Sequence, residues 1–329
     1  MNSLRPIGII GTGKYVPERI LTNSDLEQMV ETNDEWIVSR TGIRERHIAA
    51  EHEATSDLAY EAALKALASA GMKAEDLELI IVATITPDTA FPSTACILQD
   101  KLGAKGAAAF DLSAACSGFV YSLATATSFL QTGMYNNALI IGADTLSRIT
   151  DYTDRNTCVL FGDGAGAVVL GEVPQGRGFK SFDLGAEGAG GSLLKLEAGG
   201  SRLPASPQTL EDKKHFIYMN GREVFKFAVR VMGTATERVL EKAGLDKTDI
   251  DLFVPHQANI RIIQSAMQRL ELSEEKCVIN VDRYANTSAA SIPLALVEAA
   301  EEGRMKEGDT VLMVGFGGGL TWGASVLVW

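Results

Sequence analysis

Three side chains and one glycine run in this 329-residue chain are of the types and in the settings that carry covalent chemistry. Cys116 lies in SAACSGF, among small residues and ahead of a helical stretch. A cysteine at a helix start faces unpaired N–H groups and the positive end of the dipole, which favour the thiolate. Its small neighbours leave room for a substrate; a buried structural cysteine is the competing reading. His256, in LFVPHQAN, follows a four-residue apolar strand. An imidazole there can hydrogen-bond a substrate carbonyl or assist a thiol, or simply satisfy a loop. Asn286, in RYANTSAAS, suits a helix N-cap, and its amide is also a neutral donor for an oxygen that becomes negative. The run FGGGLTWG, Phe316–Gly323, follows a strand. Glycine permits close backbone approach, so its N–H groups could supply half of an oxyanion hole; a tight loop between strands is the alternative.

The remaining candidates are weaker. Cys96, Cys158 and Cys277 sit in apolar strand or helix settings and read as core. His47, His52 and His215 fall in charged segments, and EHE at 51–53 is no zinc-protease motif, so no metal site is expected. GTG at 11–13 and GDGAG at 162–166 lack the spacing and acidic partner of a dinucleotide fingerprint. Thirty basic against 42 acidic residues give a net charge of −12, which argues against a sequence-independent grip on nucleic acid. Residues 112–143 carry no charge, yet Ser113, Ser117, Ser122, Thr125, Thr127, Ser128 and Gln131 break any membrane-length apolar run. Widely spaced cysteines without a disulfide pattern, and an amino terminus without a signal-peptide core, lead to the expectation of a cytoplasmic chain off the membrane.

Positioning these groups requires an α/β frame. Near-continuous apolar strands are expected at Ile7–Ile10, Leu79–Ala83, Ala108–Leu112, Ala138–Gly142 and Ala165–Leu170. A second set is expected at Leu252–Pro255, Cys277–Val281, Val311–Val314 and Ala324–Val328. Helical patterns fill the spaces: Ser56–Ala70, Ser117–Thr132, Val224–Ala243, Ile260–Leu270 and Ser291–Glu302. AGMKAEDLELII, 70–81, repeats as AGLDKTDIDLFV, 243–254, and IIGAD at 140 repeats as MVGFG at 313. Offsets held between 170 and 173 indicate two copies of one α/β unit, residues 1–174 and 175–329, with 185–215 an insertion in the second. The same spacing pairs Cys116 with Asn286 as matching helix starts. It brings Cys116, His256 and Asn286 to one site between the halves.

SAACSGF, VPHQAN, YANTSAAS and FGGGLTWG, in this order, resemble β-ketoacyl-[acyl-carrier-protein] synthase III, the initiating condensing enzyme of fatty-acid synthesis in the thiolase superfamily. NDEWIVSRTGIRERHIA at 33–49, FGDGAGAVVL at 161–170 and NGREVFKFAV at 220–229 extend the likeness from about residue 6 to the end. The resemblance implies a homodimer of thiolase-like chains with five αβαβα layers. It also implies an acyltransferase that joins an acyl-coenzyme A to a malonyl-[acyl-carrier protein] by decarboxylating condensation. No cofactor is implied beyond the coenzyme A thioester as substrate. Cys116, His256 and Asn286 match the family's catalytic set, and the N–H groups of Cys116 and Gly318 its oxyanion hole. Trp36 and Arg155 match the residues that hold the adenine, with Thr32 and Arg40 nearby. Asn259 matches a residue near the pantetheine, Phe316 a substrate contact, and Phe91, in DTAFPSTAC, an aromatic lent to the partner's acyl pocket.

Elongating synthases of the same superfamily use a second histidine where this chain has Asn286, and no histidine follows His256. Carrier proteins are acidic and so is this chain, so docking needs a local basic patch. Lys226 and Arg261 are the expected members, with Arg230 and Arg269 on the same helical stretches. Gln268 stands where the family often has a basic residue, which narrows that patch. Two other readings are a starter-unit acyltransferase of polyketide or quinolone assembly and a non-catalytic acyl-binding module. The second gives no reason for the Cys-His-Asn set.

Overall fold

The computed structural model describes residues 4–329. Five strands build the first sheet: β1 (Ile7–Tyr15), β2 (Leu79–Ala83), β3 (Ala108–Leu112), β4 (Ala138–Thr145) and β5 (Asp163–Glu172). Four build the second: β6 (Gly178–Ala186), β7 (Leu252–Pro255), β8 (Thr310–Gly317) and β9 (Thr321–Val328). The first runs β1-β5-β4-β2-β3, and the second runs β6-β9-β8-β7. In both, the inner crossover pair is parallel (β2 with β4, β7 with β8) and the pairs toward β1 and β6 are antiparallel, while β3 adds to the far side of β2 in parallel. Sheet order thus repeats with the sequence.

Helix α1 (Thr55–Ala70) covers the outer face of the first sheet, whereas α3 (Gly221–Ala243) covers the outer face of the second, with α4 (Ile260–Leu270) against it. Between the sheets lie α2 (Gly118–Gln131) and α5 (Ser291–Glu301). The result is the five αβαβα layers. Both central helices are apolar nearly all round, as a helix buried between two sheets must be. Phe119, Leu123, Ile292 and Leu296 are fully buried there. Each such side chain contributes about 1.5–3 kcal/mol through burial.

One expectation needs correction. The Cys277–Val281 strand is a single parallel bridge from Cys277 to Phe253, standing where β3 stands in the first sheet. The Gln257 side-chain oxygen accepts the N–H groups of Asn280 and Val281, removing the donors a ladder would use, and Val281 opens a short helix, Val281–Tyr284. The insertion at 185–215 is ordered: Leu194–Leu196 pairs with Ile217–Met219, and Ser206 caps a helix, Pro207–Glu211.

The structure also corrects the match between halves. Gly118 and Ser291, 173 positions apart, open α2 and α5 after equivalent short turns, Ala115–Ser117 and Ser288–Ala290. Ala115 and Ser288 occupy the left-handed region (φ 47° and 51°) at the first position of each turn. At that offset Ala289, not Asn286, is the counterpart of Cys116. The turns touch across the molecule's middle. A Cβ on Gly142 of β4 would lie 2.1 Å from the Ala289 carbonyl, so only glycine allows this approach.

Candidate active site

Cys116 occupies the short turn between β3 and α2, as the sequence predicts, and is 8% exposed. The other half of the molecule fixes its place. Ser117 Oγ lies 2.8 Å from Thr321 Oγ1, which in turn donates to the Ala114 carbonyl at 3.0 Å. Gly317, at the end of β8, lies so close that a Cβ would sit 2.6 Å from the Cys116 backbone nitrogen. A side chain at 317 would force the nucleophile's backbone away.

His256 directly follows β7 and is 1% exposed. Its Nδ1 meets Ser291 Oγ at 2.5 Å, and the Phe316 ring packs edge-on against it at 5.3 Å between centroids. Asn286 precedes the second turn and is not a helix cap. Its backbone N–H donates to the Leu160 carbonyl and its carbonyl accepts from Gly162 N–H. Its Oδ1 accepts from Ser288 N–H at 2.9 Å. The amide oxygen is therefore committed, and the NH2 group is the end left to face a ligand.

Two cavities share Cys116 in their walls. The wider, about 650 Å³, is lined by Cys116, His256, Asn286, Phe316 and Gly317 at its inner end. Toward its mouth it is lined by Arg40, Arg222, Lys226, Asn259 and Arg261. The narrower, about 340 Å³, is largely apolar, with Ile85, Leu146, Ile149, Phe161 and Leu194 around Cys116, Ser288 and Gly318. A polar-mouthed passage and a largely apolar pocket that share a cysteine in their walls suit an acyl thioester held across the junction.

Burial dominates the electrostatics. It pushes the Cys116 thiol up to about 12, with the Asp144 carboxylate adding to the rise and the Ser288 hydroxyl opposing it. Burial also drives His256 down to about 3. Desolvation outweighs the helix start, so burial favours a neutral thiol at Cys116 and a neutral imidazole at His256. Carboxamidomethylation of Cys116 by iodoacetamide is accordingly expected to rise about tenfold per pH unit from neutrality upward. A rate already levelled at neutral pH, followed by peptide mass spectrometry, contradicts this.

The other expected site residues divide. Arg40 and Arg155 sit over Trp36, their guanidinium carbons 4.9 and 4.3 Å from its ring centroid. A flat ring stacking on Trp36 would compete with these cations for its faces. Asn259 caps α4 through Arg261 N–H and donates to the Arg40 carbonyl, and Arg261 donates to the Ser39 carbonyl, binding this rim together. Thr32 and Phe91 line neither cavity, and Phe91 is 86% exposed. Lys226 lines the mouth while paired with Glu223. Arg230 and Arg269 do not line it: Glu187 and Glu237 hold them elsewhere.

Sequence reasoning missed Arg222, a further cation at the mouth. It also missed Ser288 and Ser291, which read there only as helix-opening residues, and Asp144. Asp144 Oδ1 accepts from Thr84, Ile85 and Thr86, and Oδ2 accepts from Ala289 N–H, tying β4 to the second turn. Among the described residues, no cluster of three or more histidine, cysteine or acidic side chains is placed to hold a metal ion, and no helix is long and apolar enough to cross a membrane.

A duplicated α/β frame with a cysteine in the turn ahead of its central helix places the chain in the thiolase-like fold class. Residues 110–188 match the family profile of 3-oxoacyl-[acyl-carrier-protein] synthase III, and residues 240–329 match the profile of its C-terminal part. A β-ketoacyl-[acyl-carrier-protein] synthase III of Desulfitobacterium hafniense is 60% identical over 323 residues, covering 98% of each chain. One of Geobacillus kaustophilus is 60% identical over 322 residues, again covering 98% of each. The solved structure of the Thermus thermophilus protein of that name superposes with a TM-score of 0.92 at 53% identity, covering 98% of this chain and 99% of that one. The chain belongs to the β-ketoacyl-[acyl-carrier-protein] synthase III family, and its reaction is the condensation that starts a fatty-acid chain.

Proposed function

We propose that the chain transfers an acyl group from coenzyme A to Cys116 and then condenses it with malonyl-[acyl-carrier protein]. The observation that carries this reading is the junction of two cavities at Cys116, with His256 and Asn286 lining the wider, polar-mouthed one. The acyl chain lies in the apolar pocket and the pantetheine arm in the wider passage. Arg40, Arg222 and Arg261 at its mouth suit the phosphates of coenzyme A. The adenine displaces one guanidinium from Trp36. Lys226 and Arg261 are cations on the rim for an acidic carrier protein.

In the first half-reaction the Cys116 sulfur bonds to the thioester carbon while its proton leaves. The Cys116 and Gly318 N–H groups take the oxyanion, and the carbon–sulfur bond to coenzyme A breaks. The departing coenzyme A thiolate takes up the proton that the Cys116 thiol gives up, so the exchange is proton-neutral overall. Desolvation that raises the thiol pKa also strengthens each hydrogen bond to the oxyanion. In the second, the malonyl carbon–carbon bond breaks, carbon dioxide leaves and the electron pair becomes a thioester enolate. That step needs donors and no base, and the His256 Nε2–H and Asn286 NH2 supply them. The carbanion attacks the acyl-Cys116 carbonyl, and the sulfur departs and recovers a proton.

The working unit is a homodimer. Support comes from Phe91, an aromatic 86% exposed, and from β3, whose outer edge forms the rim of the first sheet with no strand beside it among the described residues. Acyl-coenzyme A and malonyl-[acyl-carrier protein] incubated with the protein should give 3-oxoacyl-[acyl-carrier protein], coenzyme A and carbon dioxide, read by mass spectrometry of the carrier. Acylated enzyme with an unchanged carrier protein points instead to a starter-unit transferase.

A further inference from the structure

The described residues give the buried Ser291 hydroxyl two partners, His256 Nδ1 at 2.5 Å and the Gln257 backbone N–H at 3.4 Å. The Gln257 N–H can only donate, so the hydroxyl oxygen already accepts one hydrogen. Its own hydrogen then has a single acceptor in reach, Nδ1. Were Nδ1 protonated instead, the hydroxyl would accept twice and its hydrogen would be buried without a partner, an arrangement native interiors avoid. We infer that Ser291 fixes His256 in the neutral tautomer that carries its proton on Nε2, and so makes the imidazole a dedicated donor in the cavity it shares with Cys116 and Asn286.

The Phe316 ring, edge-on to the imidazole, leaves the ring plane little freedom to turn. Asn286 is oriented by the same turn region. Ser288 N–H holds its Oδ1, so its NH2 is presented while Ser291 presents the Nε2–H. Ser288 and Ser291, three residues apart, therefore convert two ambivalent side chains into a pair of donors. A donor pair stabilises an enolate oxygen and cannot take the Cys116 proton. Ser291 is thus a positioning residue for the condensation half-reaction; this rests on the function proposed above, whereas the tautomer itself does not.

The test is nitrogen-15 NMR of protein labelled at histidine. The chain has four histidines, and His256→Asn assigns the signal by its loss. The expected spectrum has His256 protonated at Nε2 and bare at Nδ1; a proton on Nδ1 overturns the inference whatever the enzyme's activity. Ser291→Ala should mix the tautomers and lower condensation by about 10- to 100-fold, more steeply than acyl transfer to Cys116. Ser291→Thr, which keeps the hydroxyl, should recover most of both the spectrum and the rate. Equal losses in the two half-reactions, or no rescue by threonine, reduce Ser291 to a packing residue. Absence of acyl transfer in the unmodified protein, with the Nε2–H tautomer intact, defeats the proposed function and leaves the tautomer assignment standing.

Discussion

Cys116→Ala should leave no acyl-enzyme and lower the overall reaction by at least about 10⁴-fold. The loss is chemical, because alanine keeps the backbone N–H that completes the oxyanion hole and fits where the small turn residues already pack. The variant should still bind coenzyme A, since the Trp36 stack and the basic mouth of the wide passage are untouched. It should also keep the decarboxylation donors, so malonyl-[acyl-carrier protein] should be split slowly with no condensation product. Acylation is read by the mass of the intact protein after exposure to acyl-coenzyme A. Any acylated alanine variant would move the nucleophile to another side chain.

Asn286→Ala should cost condensation about 100- to 1000-fold while the first acyl transfer changes little. The reason is directional. The Asn286 oxygen is held by Ser288 N–H, so the side chain contributes its NH2, and a donor matters most where negative charge develops on the enolate. Asn286→Asp separates donation from shape: it can keep the Ser288 hydrogen bond yet replaces the NH2 with an acceptor. A loss at least as large as that of the alanine variant is expected. Single-turnover rates for each half-reaction check both. Equal damage to acylation and condensation would place Asn286 in the support of Cys116 rather than on the enolate.

Much of the frame could be read from residues alone because its causes are local. Runs such as Leu79–Ala83 and Leu252–Pro255 are apolar on both faces, which only a covered sheet explains, and both are strands here. Cys116 among small residues ahead of a helix, and His256 after an apolar strand, are equally local signals. Where the reading failed, the deciding contact came from far along the chain. Cys277–Val281 has strand-like residues, but Gln257 captures its backbone donors. The helix start favours a thiolate at Cys116, but burial by both halves outweighs it. Arg230 and Arg269 look like free cations until Glu187 and Glu237 are seen against them. Asn286 and Cys116 share similar surroundings in sequence, yet the turns align Cys116 with Ala289. Ser291 carried no signal of its own; its role exists only once β7 delivers His256 beside it.

The most direct test follows the acyl group in time. Protein mixed with isotopically labelled acyl-coenzyme A and quenched at intervals should acquire one label per chain, on the Cys116 peptide. Adding malonyl-[acyl-carrier protein] should then discharge the label into 3-oxoacyl-[acyl-carrier protein] as carbon dioxide is released. A label on any other residue, or condensation product formed without labelled Cys116 appearing first, contradicts the assignment of the two-cavity junction as the place where the carbon–carbon bond is made.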